Sequence, residues 1–180
     1  LSAEDLVALI QEVNELKIRA SKGRQDVLVE QILIYDNKRH SRFRSREDRR
    51  KILQAVLEII NPEWLAEGDA VFEISGVGIK VSGREMKRMR FFTGQYRSFR
   101  NVLRVLSPAA LDLRGSGVSD VIELTGLELL ELDVRETPMK SLEKFPPMRS
   151  LRVLRVDDGQ FSEEALKRLP KYIEVVIGER

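Results

Sequence analysis

The stretch Leu129–Met139, LLELDVRETPM, places Leu129, Leu132, Val134 and Met139 at positions 1, 4, 6 and 11 and gives most other positions to charged and turn-forming residues. Leu132 and Val134 are two residues apart, the spacing that puts side chains on one face of a strand. The longer step to Met139, across Thr137 and Pro138, is a turn rather than a continued strand. On its own this is one short half-buried strand, so its meaning depends on whether it recurs. Three further segments carry the spacing: Met86, Met89, Phe91, Tyr96; Pro108, Leu111, Leu113, Val118; and Leu151, Leu154, Val156, Phe161, at successive offsets of 22, 21 and 22 residues. The agreement continues downstream, where Phe99, Val102 and Val105 align with Val121, Leu124 and Leu127 and then with Leu142, Phe145 and Met148. Phe72, Ile74 and Ile79 fit an irregular earlier copy, with Asp69 at its first position.

A period near 22 with apolar positions 1, 4, 6 and 11 resembles the leucine-rich repeat, whose usual pattern is LxxLxLxxNxL. The resemblance covers about residues 69 to 170. It departs from the pattern at the Asn position, which holds Gly94, Ser116, Thr137 and Gly159. Hydroxyls at 116 and 137 can replace part of the side-chain ladder of that family, and glycines cannot. Short Ser/Thr-type arrays of this kind are similar to those found as appendages in bacterial proteins. The resemblance implies an α/β fold: a leucine-rich-repeat solenoid with short parallel strands, each unit burying its apolar side only by stacking on its neighbours.

The flanks read differently. Ser2 with Asp5, and Ser45 with Asp48, are helix starts, and Ile52, Leu53, Val56, Leu57 and Ile60 form one stripe stopped by Asn61 and Pro62. Leu6, Leu9, Ile10, Val13, Leu16 and Ala20 form another stripe, and Asp26–Tyr35 is apolar nearly all round and favours helix. The expected organisation is a helical unit at 1–65, four to five repeats at 66–161 and a C-terminal cap at 162–180, with a helix from Ser162 to Leu169 and a strand from Ile173 to Ile177.

Composition narrows the chemistry. The 180 residues contain no cysteine and a single histidine, His40, so thiolate metal sites, disulfides and the usual triads cannot be assembled. His40 reads as an exposed polar residue. The net charge of +2 is unevenly spread: Lys38–Lys51 and Arg84–Arg104 each carry +6, which leaves −10 on the remaining residues. No apolar run has the length of a membrane helix. Ser75–Gly83, SGVGIKVSG, lacks the Lys-Ser/Thr of a P-loop and the dinucleotide fingerprint, and reads as a turn. The chain starts at Leu1, as a fragment would, and the expected compartment is the cytoplasm.

The functional expectation comes from strand alternation. Arg90, Phe92, Asp112, Arg114, Asp133, Arg135, Arg155 and Asp157 flank the inward positions and therefore face outward, with Arg114 stacked beside Arg135 and Asp112 beside Asp133. The bland account of this face is a solvated set of charges pairing across strands. The functional account, which the family resemblance supports, is a surface that binds a protein partner, with Phe92 as an aromatic anchor and the arginines as directional donors. Neither catalysis, nor a cofactor or metal, nor a membrane or small-molecule substrate is expected. The alternative partner is nucleic acid, gripped by the basic segments 38–51 and 84–104; against it, the repeat register assigns Phe91, Tyr96 and Phe99 to the core.

Overall fold

The computed structural model describes residues 2–17, 45–66, 68–93 and 98–178. The expected helix Asp26–Tyr35, His40 and the basic residues before Ser45 lie outside the described residues, as do Gly94 and Tyr96.

Helix α1 spans Ala3–Lys17, and its first turn is closed by reciprocal bonds between Ser2 and Asp5. Helix α2 spans Arg46–Ile60 behind a capping box, in which the Ser45 hydroxyl accepts from the Asp48 N–H and the Asp48 carboxylate accepts from the Ser45 N–H. All five expected stripe residues of α2 are buried. Of the α1 stripe residues whose side chains are described, Leu6 is buried and Leu9 is 39% exposed. The two helices pack together, with Lys51 reaching Glu4 at 3.4 Å. No helix among the described residues is long and apolar enough to cross a membrane.

Strands come next in chain order: β1 (Val71–Ser75), β2 (Gly78–Ser82), β3 (Arg90–Thr93), β4 (Ser98–Asn101), β5 (Ala110–Asp112), β6 (Glu131–Asp133), β7 (Val153–Asp157), then the short helix α3 (Glu163–Lys167) and β8 (Glu174–Gly178). Six of the strands form one mixed sheet in the order β1-β2-β5-β6-β7-β8, antiparallel only between β1 and β2. Ile79, Leu111, Leu132, Leu154 and Val175 occupy one row across the parallel strands. The first four are buried and Val175 half-buried, so this row is the spine of the core. Return segments bring Val102, Leu103, Val121 and Leu124, in two 3-10 turns, against the same side. The α2 stripe joins the same cluster, and Trp64, fully buried, donates from its indole to the Ser82 carbonyl at 2.7 Å.

The row changes the sequence register at both ends. The strand beside β5 is β2, with Ile79 at position 4 and Val81 two residues on; the pairing then slips by one residue at Gly83, which bridges Ser116, and Met86 lies beyond it rather than at position 1. The segment expected to supply that strand, Met86–Tyr96, instead enters a separate two-stranded sheet of β3 and β4. Phe72 and Ile74 belong to β1, which pairs antiparallel to β2 instead of forming a copy of the pattern. The physical reason lies in the backbone from 84 to 90. Its N–H groups are engaged by the side chains of Asp69, Asn61 and Glu123, so they are taken before any sheet neighbour can use them. At the other end β8 continues the period. Tyr172, Val175 and Ile177 fall at positions 1, 4 and 6, 21 residues after Leu151, Leu154 and Val156.

Candidate protein-binding face

The residues alternating with the buried row point to the other side of the sheet. Lys80, Asp112, Asp133, Arg155 and Val176 form one row of that outer face, with Glu73 of β1 opposite Lys80. Asp112 does stand beside Asp133, as the sequence implies, and Arg155 is the next neighbour.

Strands β5 and β6 end in the same device. The Asp112 carboxylate accepts from the Arg114 N–H at 2.9 Å, and the Asp133 carboxylate accepts from the Arg135 N–H at 3.1 Å, two residues on in each case. The guanidinium of each arginine comes back to the same carboxylate. Arg135 and Asp133 form a forked pair with a shortest separation of 2.6 Å, while Arg114 and Asp112 are 3.6 Å apart. The hydrogen bond that Arg135 donates to the Asp133 carboxylate is the main reason its guanidinium is held above its usual pKa. Arg155 crosses to Glu131 of the neighbouring strand at 3.2 Å. Asp157 acts on the backbone instead. It is buried and accepts from the Glu136 N–H at 2.7 Å, bracing the adjacent turn. Of the eight expected contact residues, six therefore share this region. Arg90 and Phe92 do not, because they lie on β3 in the separate two-stranded sheet. There the backbone register sets Phe92 opposite Phe99.

Three features were not anticipated. The first is a trough of about 280 Å³ over the outer face, floored by Gly78 and Ala110 and walled by Glu73, Lys80, Glu131 and Arg155. Gly78 and Ala110 are direct neighbours in the register, so two side chains of minimal size coincide and leave the depression. The signal was present in the sequence but needed the β2–β5 pairing to be read. The second is Gln160. Its side chain accepts from the Asp157 N–H and donates to the Val134 carbonyl and the Thr137 hydroxyl, supplying, one residue after the ladder position, a cross-link that Gly159 cannot make. Thr137 contributes by donating to the Val134 carbonyl at 2.7 Å, whereas the Ser116 hydroxyl is buried without a partner. The third is Glu123, whose carboxylate accepts from the Met89 and Arg90 N–H groups and so ties the β3–β4 hairpin to the core. Burial pushes the Glu123 carboxyl up in pKa, against the opposing pull of those two N–H donors and of Arg90 and Arg88.

A larger groove of about 640 Å³ lies between the return segment after β6 and α3, lined by Phe145, Pro146, Pro147, Pro170 and Tyr172. It contains none of the eight expected contact residues.

Comparison with known proteins returns no matching family model, no similar curated protein and no similar solved structure.

Proposed function

We propose that this chain is a non-enzymatic protein-binding module, built as a short array similar to leucine-rich repeats, that holds a partner on the outer face of its six-stranded sheet. The observation that carries the reading is the trough over Gly78 and Ala110. A sheet face left uncovered in a monomer is ordinarily carpeted by larger side chains; a side-chain-sized depression in its middle, rimmed by charges, has the form of a pocket for an anchoring residue. The rim is also preorganised. Arg155 is held by the Glu131 carboxylate of the neighbouring strand, so a partner meets an oriented group rather than a mobile one.

Random peptides displayed on phage and selected against the chain test this. Filling the trough with Ala110→Phe is expected to weaken the selected peptides by at least about 10-fold, the loss that goes with an anchor pocket. Arg155→Glu, at the wall of the trough, is expected to do the same while lowering stability by no more than about 1 kcal/mol for the one exposed pair lost, with Glu131. Peptides that bind both variants unchanged would overturn the proposal.

The alternative reading, nucleic-acid binding, draws on the placement of the second basic segment. Arg84, Lys87, Arg88, Arg100 and Arg104 are all exposed on or beside the β3–β4 hairpin, which is a sheet separate from the six-stranded one. Fluorescence anisotropy with single-stranded and duplex probes at about 50 and 200 mM salt separates the two. Submicromolar affinity with a steep loss at the higher salt favours the hairpin, and weak binding at both favours the sheet face.

A further inference from the structure

The sheet ends at β8, whose outer edge has no strand beside it among the described residues. Which backbone groups of β8 point that way can be read from its bonds to β7. The Glu174 N–H donates to the Arg152 carbonyl and the Gly178 carbonyl accepts from the Asp158 N–H, so Glu174, Val176 and Gly178 face β7. Strand alternation then directs the N–H and C=O groups of Val175 and Ile177 away from the sheet. An edge is normally blunted by lysine, proline or a bulge. This one reads EVVIG, carries none of these, and leaves Ile177 57% exposed.

The geometry points to a second copy of this chain as the occupant of the edge, pairing β8 antiparallel to β8 about a twofold axis at Val176. In that register Val175 lies opposite the partner's Ile177, and the outward groups of both residues are matched on each side of the axis. The apolar side is continued, because half-buried Val175 meets exposed Ile177. Charge selects the same arrangement. Glu174 lies opposite the partner's Gly178, and the Arg135 guanidinium is packed over Gly178, so close that a side-chain carbon at that position would stand 3.0 Å from it. Each protomer therefore offers a guanidinium where the other brings the exposed Glu174 carboxylate, and the contact occurs twice by symmetry. Parallel, in-register pairing would instead set Glu174 against the partner's Glu174. The surface is distinct from the trough, so this inference stands or falls separately from the proposed function.

An edge contact of this kind is small, and small interfaces associate weakly. Sedimentation velocity on the 180-residue chain, from about 5 to about 500 µM, is therefore expected to show a monomer passing to a dimer with a Kd on the order of 10 to 100 µM. Glu174→Lys and Ile177→Lys, both at exposed positions, are each expected to weaken the dimer at least about 10-fold, roughly what losing one well-placed interface contact costs. Their circular dichroism and melting temperature should match those of the parent chain. Raising salt from about 50 to about 500 mM should weaken the parent dimer, because it screens Arg135 from the partner's Glu174. A monomer throughout that concentration range, a dimer indifferent to both substitutions, or growth past the dimer into open-ended aggregates would each overturn the inference.

Discussion

Glu136 and Gly115 do the same job in successive turns with unequal ease. Both come directly after an Asp-x-Arg strand end, and both have positive φ, 57° and 73°. Glycine accepts that conformation freely, whereas a side chain there costs about 1–2 kcal/mol. Glu136 is kept in it by the Asp157 carboxylate on its N–H. Gly115→Ala is therefore expected to lower stability by about 1 kcal/mol, and Glu136→Gly to raise it by up to about 1 kcal/mol, both read from urea unfolding midpoints. Gly117 is constrained differently: a side chain would collide with the Arg84 carbonyl. The strand-end aspartates and arginines were legible from the sequence, because alternation alone assigns their face. Gln160 was not, because the expected ladder position was read by count, and β7 keeps its pairing as far as Asp157, so the turn comes later.

Among the elements, α2 is anchored at its C-terminal end. Asn61 closes the helix, and its buried amide holds the loop beyond β2: the oxygen accepts from the Lys87 and Arg88 N–H groups and the nitrogen donates to the Leu57 and Arg88 carbonyls. Asn61→Leu removes all four bonds and leaves backbone groups without partners, at about 1–3 kcal/mol for each one that water cannot reach. The expected loss is at least about 3 kcal/mol in chemical denaturation, against about 1 kcal/mol or less for Gln54→Ala on the same helix, where only side-chain bonds to Arg50 and Glu58 are lost. The capping box and apolar stripe of α2 could be read directly, as could the C-terminal helix and strand. The β3–β4 hairpin could not. An antiparallel hairpin alternates apolar residues as a parallel strand does, and the difference lies in where Asn61 and Glu123 send the backbone, which no periodicity records.

For the whole molecule, two carboxylates set a pH response. Burial raises the pKa of Glu58, opposed by its bond from Gln54, as burial raises that of Glu123. A raised folded pKa means that the folded chain holds the proton more tightly than the unfolded chain, so these groups add stability as pH falls from neutral towards the ordinary glutamate range. The chain carrying Glu58→Gln and Glu123→Gln should lose that gain. Its stability measured against the parent, by denaturant titration at pH 7 and pH 5, is expected to shift in the parent's favour at the lower pH.

The spacing of the central row has a consequence in polymer terms. Leu111, Leu132, Leu154 and Val175 are joined by closures of 21, 22 and 21 residues, while Ile79 and Leu111 span 32 because the hairpin lies between them. Closure entropy rises only with the logarithm of loop length, so the longer connection costs about 0.4 kcal/mol more than the others. The two N–H bonds to Glu123 are enough to offset that. The sheet therefore tolerates a guest between two adjacent strands at almost no thermodynamic expense, and the connection after β2 is where this architecture can lengthen or exchange its cargo without disturbing the row on which it is built.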